Sequence, residues 1–238
     1  MSTDLAPSPL VRRPGLLARG LFLVMDVVYG RATSLEKFAA LELVARVPYQ
    51  AWESVAYVAL THLQTRNNFM RRVFEFVVEA RHAQDNEQWH LMVLEELLAT
   101  RGARRSFWTA RAIPQLLAVF YYHVSWLLYV LAPRLSYALN ADFEDHAERA
   151  YLAHVRANPE LDAEPWHSES RTGLGPRSLG GPCLFRNAKK VGTCEFSEDP
   201  ALPTVGALLR RIASDEREHR DHSLARLEAP RFAERAVA

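Results

Sequence analysis

Apolar positions along this chain recur at intervals of three and four residues, and no stretch alternates convincingly between apolar and polar. That period belongs to helices that bury one stripe, so the pattern predicts an all-α protein. A first helix is expected near 15–30, in GLLARGLFLVMDVVYG. A second starts at TSLEKF, where Thr33 or Ser34 can cap and Glu36 or Lys37 opens the first turn. It should reach about residue 64, with a bend at Pro48. A third covers about 67–99, with Gly102 just beyond, and a fourth about 112–132, between Pro114 and Pro133. A fifth is expected over about 136–157, and a last one over about 204–227, capped by Thr204. Residues 158–203 hold most of the prolines and glycines and read as a long irregular connection. Residues 1–14 read as a flexible N-terminal arm, and 15–238 as a single helical domain.

Acidic residues interrupt the apolar stripes in a repeated way. On the third helix the stripe is Val73, Phe76, Ala80, Ala83, Glu87, His90, Leu94 and Leu97. On the last it is Leu209, Ile212, Glu216, His219, Ser223 and Leu227. Both therefore carry a Glu-x-x-His pair on the face that points inward. A buried carboxylate without a partner is costly, and a bound cation is the usual remedy. The second helix adds Glu42, on a stripe from Leu35 through Tyr49 and Trp52 to Ala56. The fifth adds Glu144, on a stripe that includes Tyr137, Asn140 or Ala141, Ala147, Tyr151 and Val155. Glu148, one turn further on, competes with Glu144 for that role, and Glu36 and Glu53 flank Glu42. One glutamate from each of two helices and Glu-x-x-His from each of two others is the ligand set of a di-iron or di-manganese carboxylate bundle. These ligands suit iron or manganese, and oxygen activation favours iron. Asp215, Asp221 and Asn86 flank the pairs; Asp215 is the expected partner for the outer nitrogen of a histidine, with Asp221 in an ion pair.

Composition removes other classes. The net charge of +1 over 238 residues offers no basic surface for nucleic acid. Two cysteines, Cys183 and Cys194, are too few for a disulfide framework; free thiols are expected, with pairing as the alternative. The segment IPQLLAVFYYHVSWLLYVLAP, residues 113–133, is near spanning length, but its aromatic content suits an interfacial or a buried helix equally. No signal peptide is read at the N-terminus, with a short organellar transit segment as the alternative.

The motifs also carry a family resemblance. ALELVARVPY at 40–49, NEQWHLMVLEEL at 86–97, the aromatic run into NADFEDHAERAY ending at 151, and DEREHRD at 215–221 resemble, in order, the four motifs of the alternative oxidases. The chain looks most like the plastid terminal oxidase branch and its bacterial relatives, over about 24–157 and 204–222. The resemblance implies a ferritin-like four-helix bundle with two additional helices, carrying a di-iron carboxylate site. It implies a quinol:oxygen oxidoreductase that oxidises ubiquinol or plastoquinol and reduces O2 to water without pumping protons. Two irons per chain would be held by Glu42, Glu87, His90, Glu144, Glu216 and His219, with Tyr151 as the tyrosine near the metals. Lys37, Leu41, Phe143, His146, Ala147 and Ala150 fall around the family's quinone pocket. Lys37 stands where an arginine is frequent, and loses its planar fork; Ala150 replaces a small hydroxyl residue. The resemblance further implies a homodimer lying on one membrane leaflet through the helices at 15–30 and 112–132, with a bacterial inner membrane expected and an organellar one as the alternative. The rival reading is a di-iron hydroxylase or monooxygenase acting on a quinone precursor or a lipid. Iron storage and a bundle with an unused site are further alternatives.

Overall fold

The structure is a computed structural model, and it describes residues 9, 12–62, 67–166, 202–229 and 232. Among the described residues six α-helices follow in chain order: α1 Leu16–Tyr29, α2 Leu35–His62, α3 Asn67–Thr100, α4 Ile113–Leu131, α5 Pro133–Ala157 and α6 Val205–Ala225. A five-residue π-helical turn, Trp108–Ala112, leads into α4, and a 3-10 turn, Pro159–Asp162, follows α5. The all-α expectation holds. Among the described residues there is one isolated β-bridge, between Pro165 and Thr204.

Local chemistry sets the helix ends. Ser34, rather than Thr33, caps α2: its Oγ accepts from the backbone N–H of Lys37 at 3.2 Å. Thr204 caps α6 by accepting from Ala207 N at 3.1 Å. Gly30 follows α1 at φ 84°, a conformation closed to most side chains, and this lets the chain turn back into α2. Helix α2 runs through Pro48 without interruption. Helix α5 begins at Pro133, three residues before its expected start. A proline costs nothing at the first helical position, because its missing N–H would have no partner there.

Helices α2 and α3 pack closely along their length, as do α5 and α6; α4 lies across α2 and α5, and α1 over α5 and α2. This is a ferritin-like cluster of four helices with two more laid upon it. The core has two parts. One gathers Phe38, Leu41, Leu94, Phe143, Leu152, Leu209 and Ile212, and the other Tyr49, Trp52, Val73, Phe76, Tyr129 and Tyr137. On α3, Glu87 and His90 fall between Ala83 of the second part and Val93 of the first, and on α6 Glu216 and His219 fall between Ala213 of the first and Leu227, which packs on the second. Glu42 and Glu144 lie among residues of the first part, so the polar residues sit inside an otherwise apolar bundle.

Helix α1 exposes Leu16, Leu23 and Val27; α4 exposes Leu116, Val119, Phe120, Leu127 and Leu131. The run Trp108–Leu131 is long and apolar enough to cross a membrane, yet only 22% of its most apolar stretch is buried. It is therefore not a core helix. The ends of the long connection are pinned together, Trp166 N donating to Pro203 O and Val205 N to Glu164 O. Cys183 and Cys194 lie outside the described residues.

A buried carboxylate–histidine centre

All six residues singled out on the stripes meet inside the bundle. Glu42, Glu87, His90, Glu144 and Glu216 are at most 1% exposed, and His219 is 7% exposed. Their ligand atoms form two sets, each with every atom within 4.8 Å of the others: Glu42, Glu87, His90 and Glu216, then Glu87, Glu144, Glu216 and His219. The sets share Glu87 and Glu216, the glutamates of the two Glu-x-x-His units. Two adjacent cation positions with two shared carboxylates follow from this arrangement. Glu144, not Glu148, occupies the α5 position. Glu148 is buried one turn away, where Arg220 Nη1 donates to its Oε2 at 2.7 Å and Arg217 Nη2 to its Oε1 at 2.8 Å.

His90 turns Nδ1 toward the carboxylates, 3.1 Å from Glu216 Oε1 and 3.2 Å from Glu42 Oε2. Its Nε2 lies 3.3 Å from Asp215 Oδ2, the partner that sequence spacing assigned. Such a carboxylate fixes ring orientation and tautomer. Arg211 Nε in turn donates to Asp215 Oδ1 at 3.1 Å. Asp221 pairs instead with Arg220, at 2.7 Å. His219 points Nδ1 at Glu87 Oε1, 2.6 Å away.

Two tyrosines complete the centre, and each serves the glutamate of the opposite helix. Tyr151 of α5 donates to Glu42 of α2. Tyr49 of α2 donates to Glu144 Oε1 of α5 at 2.8 Å, and is itself held by Asn140 Nδ2 at 2.9 Å, which also donates to Ser223 at 3.0 Å. Burial, then the neighbouring Glu42 or Glu144, pushes both phenols well above their ordinary value, so they stay protonated donors. Tyr49, Asn140 and Ser223 were read in the sequence only as stripe members. The signal was there: Tyr49 follows Glu42 by seven residues, as Tyr151 follows Glu144.

The electrostatics ask for cations. Burial and then neighbouring carboxylates hold Glu87 and Glu216 well above the usual carboxylate range; burial and then Glu216 do the same to Glu144. Burial would also raise Glu42, but the adjacent His90 overcomes it and lowers the value. Oε2 of Glu87, of Glu216 and of Glu144 is buried with no hydrogen-bond partner, and the approaches of His219 Nδ1 to Glu87 Oε1 and of His90 Nδ1 to Glu216 Oε1 lack hydrogen-bond geometry. Groups so placed cost about 1–3 kcal/mol each when unsatisfied, more if charged. Two divalent cations would satisfy all of them, so the residues present fit the metals that the ligand set implies.

Of the residues assigned to a quinone pocket, Lys37, Phe143 and His146 meet α1. Leu41, Phe143 and Ala147 are buried, and His146 stacks on Phe22 with ring centroids 4.0 Å apart. Lys37 is 4% exposed; its Nζ donates to Asp26 Oδ1 at 2.6 Å and to Gly30 O at 2.9 Å, which ties α2 to α1. Ala150 is partly buried against the first core cluster.

A helical bundle with six buried acidic and imidazole ligands, shared between two adjacent positions, defines the class of di-metal carboxylate proteins. Residues 16–173 match the family model described as Alternative oxidase. The chain belongs to the alternative oxidase family. Ubiquinol oxidase 4, chloroplastic/chromoplastic, of Arabidopsis thaliana is 31% identical over 144 residues, which cover 60% of this chain. The chain spans 38% of that relative's length. The matched region ends before α6, so it is the structure that brings Glu216 and His219 to the centre.

Proposed function

We propose that this protein is a quinol:oxygen oxidoreductase that oxidises ubiquinol or plastoquinol and reduces O2 to water without pumping protons. The observation that carries the proposal is the convergence of Glu42, Glu87, His90, Glu144, Glu216 and His219, with buried oxygens left unsatisfied, inside an alternative oxidase chain. These six residues would hold two irons per chain, with Glu87 and Glu216 belonging to both ligand sets. When bound, the irons would relay electrons from quinol to oxygen. The protein's own residues do the rest. Asp215 keeps His90 in the tautomer that offers Nδ1. Tyr49 and Tyr151 hold one oxygen each of Glu144 and Glu42 and leave the other toward the centre. The apolar residues around the centre limit solvent around the reacting groups.

Quinol enters from the side of α1, which Lys37, Phe143 and His146 contact, with Leu41, Ala147 and Ala150 completing its pocket. The exposed apolar faces of α1 and α4 support attachment to one leaflet of a membrane, as a homodimer; a bacterial inner membrane is the expected setting. Similarity to a chloroplast and chromoplast ubiquinol oxidase supports placement near the plastid terminal oxidases. The test is oxygen uptake by membranes containing this protein, supplied with quinols of different headgroup and tail. Glu87→Ala should abolish uptake and cut iron content while the helices persist by circular dichroism. Uptake that survives in the variant, or an oxygenated organic product in place of water, would refute the proposal.

A further inference from the structure

A cavity of about 310 Å3 lies between α2, α3 and α6, with Tyr137 of α5 on its wall. None of its lining residues is on α1 or α4, the helices that expose apolar faces. Its inner wall includes His219, Asp215 and Tyr49; Glu218 and His222 line it too and are exposed to solvent. The cavity thus joins the surface to the ligand cluster.

Its chemistry suits water rather than an apolar molecule. Arg211, Glu218 and His222 are groups that an apolar ligand would have to desolvate on entry. Asn86, on the same wall, has a buried Oδ1 with no hydrogen-bond partner. Such atoms are normally satisfied by ordered water. One water needs only about 10–15 Å3 of this kind of space, so the volume accommodates a connected chain of them.

We propose that this cavity is a water-filled passage by which the carboxylate–histidine centre exchanges water and protons with solvent, separate from the apolar side of the bundle. Its use as a product exit rests on the oxidase reading. Two quinols give up four electrons and four protons; one O2 takes them, its O–O bond breaks, and two waters form. Those waters arise inside an otherwise apolar bundle and need a polar way out.

The test is radiolytic labelling of the full-length, metal-loaded protein in 18O-water, in which side chains beside resident waters acquire the heavy oxygen. Tyr49 and Phe76 line the cavity and are only 4% and 3% exposed. Tyr151 and Phe38 are also buried, at 0%, but lie elsewhere. Tyr49 and Phe76 should label several-fold faster than Tyr151 and Phe38. Equal rates would overturn the passage. Ala83→Phe, which fills the wall, should slow Tyr49 labelling several-fold and lower kcat with KM for quinol unchanged. A filled variant with unaltered labelling of Tyr49 would also count against it. If the variant fails to fold, the comparison within the unaltered protein still decides. Fast labelling without quinol-driven uptake would keep the passage and refute the oxidase reading; uptake without labelling would do the reverse.

Discussion

Removing the Arg220 guanidinium tests how α5 and α6 are held in register one turn beyond the carboxylate–histidine cluster. Glu144 and Glu148 lie on α5, Glu216 and Arg220 on α6, each pair four residues apart. Arg220 is 4% exposed and Glu148 0%. In Arg220→Leu, Glu148 Oε2 loses the donor 2.7 Å away, while Oε1 keeps Arg217 at 2.8 Å. Breaking a buried pair by removing one partner costs about 3–5 kcal/mol, and the surviving Arg217 puts this case near the lower figure, about 3 kcal/mol. For a chain of this length that lowers Tm by roughly 6–12 °C. The assay is thermal unfolding followed by circular dichroism in detergent, at several scan rates, with metal content measured in parallel. Glu148→Leu combined with Arg220→Leu removes both buried charges, and Arg217, 30% exposed, can turn to solvent, so most of the loss should be recovered. A single variant that costs less than about 1 kcal/mol, or a double variant as damaged as the sum of its parts, would refute the reasoning.

Gly206 lies against Asp162: a Cβ there would strike Asp162 Oδ1 and come within 3.2 Å of its backbone N. Gly206→Ala should therefore cost about 1–3 kcal/mol in unfolding experiments, as overpacking does, and release the Arg210–Asp162 pair, now at 2.5 Å. Tyr49→Phe leaves Glu144 Oε1 and Asn140 short of a partner; a loss of about 1–3 kcal/mol is expected in the metal-free protein, read by denaturant titration. His154 has a lowered pKa, from burial and then from Arg101. The neutral form therefore stabilises the fold at neutral pH, and this contribution is lost as the pH falls from the ordinary imidazole value through the lowered native one. Stability should drop on acidification, and less in His154→Gln, as measured by Tm at pH 7.5 and pH 5.

The six clustered positions were legible because each interrupts an apolar stripe, and a carboxylate in such a place demands a partner. Glu144 against Glu148 was not resolvable by periodicity. Both are fully buried, and only the approach of Arg217 and Arg220 from α6 decides which one faces the centre. Helix limits came within a few residues, since Ser34, Thr204 and Pro133 act through their nearest neighbours. The π-helical turn at Trp108–Ala112 left no periodic trace, because a shift of one residue in hydrogen bonding looks like ordinary scatter in the stripe. The cavity was invisible for a different reason. Its walls come from four helices, and the spacing within any one of them says nothing about a gap between them.

The exchanged tyrosines carry a consequence for how the centre assembles. Tyr49 rides on the helix of Glu42 but steadies Glu144, while Tyr151 rides with Glu144 and steadies Glu42. Sliding α2 along α5 by a single turn would break both bonds together, with no misaligned state that keeps one of them. The two helices thus check each other's alignment before any ion arrives, and a chain docked one turn out of step gains nothing from half of the lock.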